Sequence, residues 1–465
     1  MTMNRMRRAG AAFVALVVFA GLAACDRAPA SLDDAVLVAA GAAHSPTVAV
    51  TTDGTALVAW VSGDSVHDVL LARAGEAPVR VNDIDGDAAP HTQAPAQVAV
   101  GPEGNIYVAW QNNTPVEGRR FPASDLRFAR STDGGRTFQA AIYVNDDAGG
   151  VPASHTFHDM AVSNDGTVYI SWIDGRARAQ AQDGAHAGAA MPDDGAHAGA
   201  AMHEDGALAG AAMHDGAHAG AAMHEDGAHA GAAMHEHGSS EPAASDAGPQ
   251  IRVARSRDAG RSFEPGVIVA SNSCPCCRTS IAVAGADVYV AWRDNDENIR
   301  NIVVAHSADG GETWGAPRAV HDDQWRIDGC PHAGPALAIA EDGRLHVAWY
   351  TGAPERPGIY HVVADAGFAF SAPAPLLSGE WVPPSLVDLA AAGGSMFATW
   401  DDRRSELPRV SFGPMGAATA AGFVSTAKRR TEAVGLAPAL AANGAHYALA
   451  WLRGDSVFVS VGGVH

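Results

Sequence analysis

Short apolar strands that end in tryptophan recur seven times along the chain. Two copies read Ile106-Tyr-Val-Ala-Trp110 and Val288-Tyr-Val-Ala-Trp292. Each is preceded by another apolar strand, and a turn that contains Gly, Asp or Asn separates the two strands. β-Branched and aromatic residues on both sides of such a turn are typical of a β-hairpin. The tryptophans are Trp60, Trp110, Trp172, Trp292, Trp349, Trp400 and Trp451. Their spacings are 50, 62, 120, 57, 51 and 51, so one long insertion explains the single discordant value.

Most hairpins are followed by two further strands, which makes four strands in each repeat. After Trp110, for example, come Leu126-Arg-Phe-Ala-Arg130 and Ala141-Ile-Tyr-Val144. Four antiparallel strands in a repeat of about 50 residues are typical of a β-propeller blade. We therefore predict an all-β propeller over 32–465 with seven four-stranded blades, and six blades as the alternative. The last repeat is one strand short, and we expect Ala35-Val-Leu-Val-Ala39 to supply its outer strand.

A turn rich in small polar residues joins the third and fourth strands of several repeats. Its copies are Ser131-Thr-Asp133-Gly-Gly135-Arg-Thr-Phe138, Ser256-Arg-Asp258-Ala-Gly260-Arg-Ser-Phe263 and Ser307-Ala-Asp309-Gly-Gly311-Glu-Thr-Trp314, with a weaker one at Asp365, Gly367 and Phe370. The Asp side chain can accept backbone N–H groups across the turn, and Gly permits a positive φ. These turns resemble the Asp box, or BNR repeat, of the sialidase-like β-propeller superfamily. The resemblance implies structural roles for Asp133, Gly135, Asp258, Gly260, Asp309 and Gly311.

The first 31 residues are predicted to be a leader and a linker outside the propeller. Three arginines precede an apolar run from Ala11 to Ala24, which is shorter than the roughly 20 residues of a spanning helix. Leu22-Ala-Ala-Cys25 resembles a bacterial lipobox, which implies a signal peptide over 1–24, lipidation of Cys25 and a linker over 25–31. We expect a lipoprotein of the bacterial cell envelope that faces the periplasm and contacts the membrane through its lipid anchor. Asp26 slightly favours the inner membrane.

A low-complexity insertion over 179–249 falls within blade three. It holds nine of the 21 histidines, five of the 11 methionines and eleven acidic residues, but no Lys or Arg. It contains nothing able to build a core, so we predict a disordered arm. Thioether beside imidazole is a soft ligand pair that suits copper, whereas a repeat created by replication slippage would have no function. The candidate arm ligands are Met202, His203, Met213, His214, Met223, His224, Met234 and His235.

The loops that precede the innermost strand of a blade are here called the inner-strand loops. In blades one to five, thiols and imidazoles recur at matching positions in these loops, whereas blades six and seven have none. Propeller geometry gathers these loops on one face, around the channel. Thiolate and imidazole ligands suit zinc or copper, and sulfur favours Cu(I). Disulfides are the main alternative in an exported protein, and a redox pair or thiol catalysis is another. The candidate metal ligands are Cys274, Cys276, Cys277, Cys330, His332, His91, His155 and His158.

These features favour metal handling or delivery over catalysis, with copper as the expected ligand and zinc as the alternative. The Asp-box resemblance would allow a sialidase-type glycoside hydrolase, but the arginine clamp and the tyrosine nucleophile of that family cannot be assembled here. A recurring Trp-x-Asp-x-Arg could supply carboxylates at Asp174 and Asp402, but ion pairs with Arg176 and Arg404 that hold the turn are the favoured explanation. A protein-docking propeller with an envelope partner is a third hypothesis. The net charge of −21 argues against nucleic acid as a partner.

Overall fold

The computed structural model describes residues 34–181, 248–271, 273–415, 418–419, 422–423 and 431–464. The predicted signal peptide, the lipidation site at Cys25 and the Met-His pairs of the arm lie outside the described residues. Among the described residues, no helix combines the length and the apolar character needed to cross a membrane.

The described residues form seven four-stranded antiparallel sheets arranged as the blades of a propeller, which confirms seven blades over six. Strands are numbered in chain order, and blades one to three contain β2 (Thr47–Val50), β3 (Ala56–Ser62), β4 (Asp68–Arg73), β5 (Val79–Arg80), β6 (Gln97–Val100), β7 (Ile106–Gln111), β8 (Leu126–Ser131), β9 (Ile142–Tyr143), β10 (His155–Val162), β11 (Val168–Asp174), β12 (Gln250–Ser256) and β13 (Val267–Ala270). Blades four and five contain β14 (Ser280–Ala284), β15 (Asp287–Arg293), β16 (Ile302–Ser307), β17 (Arg318–Ala319), β18 (Ala336–Ile339), β19 (Leu345–Thr351), β20 (Gly358–Val363) and β21 (Ala374–Ser378). Blades six and seven contain β22 (Val387–Ala392), β23 (Ser395–Asp402), β24 (Arg409–Pro414), β27 (Thr431–Val434), β28 (Leu436–Asn443), β29 (His446–Arg453), β30 (Ser456–Gly463) and β1 (Val36–Ala39). A two-stranded hairpin, β25 (Ala418–Thr419) with β26 (Gly422–Phe423), lies between β24 and β27.

The ring closes by combining the two ends of the described chain in blade seven. Strand β1 pairs antiparallel with β30, with Val36 opposite Val459 and Leu37 opposite Phe458. The predicted outer strand of blade seven is therefore confirmed, and β30 has a partner on both sides. The innermost strands β2, β6, β10, β14, β18, β22 and β28 each contact the next around the channel.

The core lies between neighbouring blades. All seven repeat tryptophans are buried, and each lies one or two residues before the end of the second strand of its blade. Trp110 of blade two, for example, packs in one cluster with Leu57 and Val61 of blade one. A blade presents an apolar face to each neighbour, so burial couples the blades into one body.

The Ser-x-Asp turns have the local chemistry that their sequence suggests. Ser131 Oγ donates to Asp133 Oδ1 at 2.7 Å, and the Thr137 N–H and hydroxyl donate to the two Asp133 oxygens at 3.0 and 2.6 Å. Gly135 has φ 84°, a conformation that favours glycine. The turns at Asp258 and Asp309 repeat this network.

Arginines on the third strands tie each of these turns to the preceding blade. Arg130 of blade two donates to the Ala259 carbonyl at 2.8 Å, and Arg255 of blade three donates to the Gly310 carbonyl at the same distance. Arg73 of blade one contacts the Gly134 carbonyl in the same way. The turns therefore link blades as well as strands.

The insertion joins β11 to β12, as predicted, because the undescribed stretch 182–247 falls between these two strands. The described chain ends before it in a short helix over 176–181 and resumes at 248. Residues 179–181 and 248–249, which the sequence assigned to the arm, thus have a described position on the propeller.

Candidate metal site

Two inner-strand loops bring five of the eight candidate donors together. Cys274, Cys276 and Cys277 lie between β13 and β14, and Cys330 and His332 lie between β17 and β18. The three sulfurs of the first loop lie within 4.8 Å of one another. The ligand atoms of a second group, Cys276, Cys330 and His332, also lie within 4.8 Å of one another. The loops of blades four and five therefore meet at Cys276.

The spacing of the sulfurs suits a metal ion. The Cys274 Sγ lies 3.5 Å from the Cys276 Sγ and 3.8 Å from the Cys277 Sγ. Metal–sulfur bonds of about 2.3 Å give an edge of about 3.8 Å in a tetrahedron, which falls within these distances. A disulfide needs about 2.05 Å, and the four described cysteines are free thiols. This cysteine cluster could hold a metal ion.

The donors differ strongly in exposure. Cys274 and Cys277 are each 1% exposed and Cys276 is 6% exposed, whereas Cys330 and His332 are on the surface. The three buried sulfurs pack with Ile281 and Trp292 in an apolar cluster. One part of the donor set is thus sealed from water and the other part is open to it.

Arg293 fixes the two loops relative to each other. Its guanidinium is fully buried and donates to the Ala333 carbonyl at 2.8 Å and to the Tyr350 carbonyl at 2.7 Å, both in blade five. The Arg293 carbonyl accepts the Cys274 N–H at 2.9 Å. A single residue of blade four therefore holds its own cysteine loop and the chain that follows His332.

The loops approach too closely for ordinary side chains at one point. A Cβ on Gly334 would lie 2.3 Å from the Arg278 carbonyl oxygen, so only glycine fits there. His332 has φ 50°, a left-handed conformation that costs about 1–3 kcal/mol and occurs often at functional sites. Close packing and local strain together place the Cys330 and His332 donors beside Cys276.

The charges of two buried arginines, Arg293 and Arg300, act on the cysteines. Hydrogen bonds with Cys276 and Cys277, together with the charge of Arg300, hold the pKa of Cys274 well below its usual range. Burial raises the pKa of Cys277 to about 12, and contact with Cys274 raises that of Cys276. The lowered pKa favours the thiolate of Cys274, and the thiolate is the form of cysteine that binds metal.

His91 lies next to this group, on the inner-strand loop of blade two. Its ring centroid is 6.4 Å from that of His332 and 5.0 Å from that of Phe157. Burial and the nearby His332 lower the pKa of His91, which keeps its ring neutral. Its Nδ1 accepts the Gln93 N–H at 3.0 Å, and the Gln93 side chain in turn accepts the Gly334 N–H at 3.4 Å. Loops of blades two and five therefore touch across the channel mouth.

His155 and His158 lie within strand β10 and not in the loop before it. His155 Nδ1 contacts the Ser124 carbonyl at 2.7 Å, and its Nε2 contacts Asp147 at 3.0 Å. Its ring nitrogens are thus engaged by oxygen acceptors. His158 is fully buried, with Nε2 3.2 Å from the Ala109 carbonyl, and burial lowers its pKa to about 4. Among the described residues, neither histidine belongs to the two donor groups.

Two arginines of the site were missed from the sequence. Arg293 is the only basic residue that directly follows a repeat tryptophan, and this departure from the other six copies is the signal that could have found it. Arg300 is buried in the segment between β15 and β16 and has no comparable signal, because that segment has no counterpart in the repeat.

The Trp-x-Asp-x-Arg residues form ion pairs. Arg176 Nε lies 2.9 Å from both oxygens of Asp174, and the Trp172 Nε1 donates to the same carboxylate at 2.9 Å. Asp174 is fully buried. Arg404 likewise donates to both oxygens of Asp402, at 2.8 and 2.6 Å. Holding the strand end in place is sufficient to explain these carboxylates.

Comparison with known structures supports the fold. The chain is similar to the BP39L lectin from Burkholderia pseudomallei, at 10% identity over 91% of this chain and 97% of the lectin, with a TM-score of 0.53. It is also similar to an ulvan lyase of polysaccharide lyase family PL25, at 11% identity over 92% and 96% of the two chains, with a TM-score of 0.50. A leech intramolecular trans-sialidase matches at 11% identity over 88% and 83%, with a TM-score of 0.45. No protein-family model and no curated protein matches the sequence. At these identities the likeness shows the propeller fold alone.

Proposed function

We propose that this protein is a non-catalytic lipoprotein of the bacterial envelope that binds a soft transition metal and handles or delivers it. The site is the group of Cys274, Cys276, Cys277, Cys330 and His332 at the channel mouth. Copper is favoured over zinc because four of the five donors are thiols, and soft thiolate ligands suit Cu(I). The observation that carries the proposal is the convergence of two separate loops on Cys276.

Three further features of the sequence support this role. The turns at Asp133, Asp258 and Asp309 resemble Asp boxes, which have a structural role, and the ion pairs of Asp174 and Asp402 with arginines argue against catalysis by these carboxylates. The Met-His pairs of the arm would collect metal near the site, because the arm leaves the propeller between β11 and β12. The lipobox at Cys25 would hold the protein at the membrane on its periplasmic side, with the inner membrane slightly favoured. An envelope protein would receive the metal.

The test is metal analysis of the full chain, isolated from cells grown with and without added copper. The protein is washed with free histidine, which competes for weakly held copper on the arm, and its metal content and free thiols are then measured. We expect near-stoichiometric copper, which is lost when Cys274, Cys276 and Cys277 are all replaced by Ser.

The matched control replaces two histidines that contact each other elsewhere, as His44→Ala with His67→Ala. This variant should keep its copper. A wild-type protein that has neither metal nor free thiols would contradict the proposal, because its cysteines would then be structural disulfides. A stoichiometric protein partner recovered without metal would favour the docking hypothesis.

A further inference from the structure

The five donors cannot all bind one ion in this arrangement. An ion with bonds of about 2.3 Å needs all its ligand atoms within about 4.6 Å of one another. The donors instead form two groups, in which Cys274 and Cys277 belong to the first and Cys330 and His332 to the second. Cys276 belongs to both. The geometry therefore contains two three-donor sets that overlap at one sulfur.

A shared sulfur is chemically suited to two ions. A thiolate carries several lone pairs and can bridge two soft ions, and Cu(I) accepts sulfur and imidazole ligands. Four thiolates and two Cu(I) ions leave two net negative charges in the site. A buried charge of this kind needs a partner of opposite sign.

Arg300 provides such a partner. Its side chain is 5% exposed and its charge acts on Cys274, and among the described residues its Nε and Nη1 have no hydrogen-bond partner. A buried donor without a partner costs about 1–3 kcal/mol. The charge of Arg293, which is also buried, acts on Cys277. Two buried arginines thus contribute positive charge to a cluster that becomes anionic when it is loaded.

We propose that the site binds two Cu(I) ions that share the Cys276 sulfur. This inference rests on the proposed function. The inner ion is held by Cys274, Cys276 and Cys277, and the outer ion by Cys276, Cys330 and His332. Because Cys330 and His332 are exposed while Cys274 and Cys277 are buried, the outer position exchanges metal and the inner position retains it.

Transfer between the positions is a ligand exchange without a redox change. Bonds from Cu(I) to Cys330 and His332 break as bonds to Cys274 and Cys277 form, and the bond to Cys276 persists. The proton of each thiol that becomes a ligand passes to water, and Cys330 takes up a proton when it is released. Copper remains Cu(I) throughout.

The test is an anaerobic titration of the reduced full chain with Cu(I) against a chromophoric Cu(I) chelator. Thiolate-to-copper charge-transfer absorption counts only thiolate-bound copper, so the arm does not contribute. We expect two equivalents per chain and a short copper–copper distance in X-ray absorption. The exposed pair variant, Cys330→Ser with His332→Ala, should retain one ion and release it to the chelator more slowly than wild type releases its first.

The complementary variant, Cys274→Ser with Cys277→Ser, should also retain one ion but lose it readily to the chelator. Cys276→Ser should lose the copper–copper distance, and His44→Ala with His67→Ala should keep both ions.

One equivalent in the wild type, lost in either pair variant, would overturn the shared site while the proposed function stands. No thiolate-bound copper would overturn both. Two ions in Cys276→Ser would refute the bridge. Because Cys330 and His332 are exposed, their variant keeps the test valid if a buried variant does not fold.

Discussion

His155 shows how much its surroundings decide the role of a single residue. Its sequence position suggested a metal ligand in a loop, but it lies in β10 with Asp147, Asp174 and Asp125 within 3.8 Å of its ring nitrogens. Burial alone would lower the pKa of His155, yet the hydrogen bond and charge of Asp147 and the charge of Asp174 outweigh it, and the pKa is raised. The surroundings of His155 in the fold therefore favour its protonated form more than water does.

The raised pKa predicts a pH dependence of stability. A histidine whose pKa is higher in the folded chain than in the unfolded one stabilises the fold fully below about pH 6.5, and this contribution is lost as the pH rises through the folded pKa. We expect His155→Gln to remove this contribution to the free energy of unfolding. The contribution is roughly 1.4 kcal/mol for each unit by which the folded pKa exceeds the unfolded one. Denaturant unfolding at about pH 5.5, 7 and 8.5 measures it. His67→Gln is the control, and parallel profiles for wild type and His155→Gln would show that His155 contributes nothing.

The residues of the metal site were only partly predictable. The cysteines of the two loops lie at matching distances before the innermost strand of their blade. Because a propeller repeats its geometry from blade to blade, this spacing predicted that the two loops lie on the same face. The same spacing failed to separate loop from strand at His155 and His158, since the bulge in β10 between Thr156 and Asp159 alters its register. Arg300 could not be foreseen, because its role depends on the tertiary position of an irregular segment.

At the scale of elements, the hairpins and the closing strand were predictable because alternation, turn residues and tryptophan spacing all indicate the same unit. The hydrogen bonds that link neighbouring blades were not predictable. Arg73, Arg130 and Arg255 each donate to a turn of the next blade, but an arginine on a strand gives no sign in the sequence of which carbonyl it will reach.

Strand β1 offers a test of ring closure. Its side chains are partly exposed, so its contribution comes mainly from backbone pairing with β30. Deleting residues 32–41 removes these hydrogen bonds and leaves β30 as a free edge, at a cost of about 3 kcal/mol for bonds of about 1 kcal/mol each. We expect the Tm to fall by roughly 5 °C in a thermal melt. A deletion that stops at residue 31 is the control, and a Tm that matches this control would mean that the ring does not depend on β1.

At the scale of the whole molecule, the candidate metal site lies where separate blades meet. The loops of blades four and five supply the donors, Arg293 joins the two blades, and Gln93 of blade two contacts Gly334 of blade five. A ligand that bonds to both cysteine loops would therefore cross-link segments of blades four and five that are far apart in the sequence. Arg293 and Tyr350, which form a hydrogen bond between the same two blades, are separated by 57 residues.

Metal binding should consequently stabilise the entire propeller. A ligand that binds only the folded state adds about 2.7 kcal/mol when its free concentration is 100 times its Kd. We expect Cu(I) to raise the Tm of the reduced wild type. The rise should be smaller in the variant Cys330→Ser with His332→Ala, and the Tm of Cys276→Ser should not change. His44→Ala with His67→Ala should respond as the wild type does. An equal rise in Cys276→Ser would show that copper stabilises the fold from somewhere other than the point where the two loops meet.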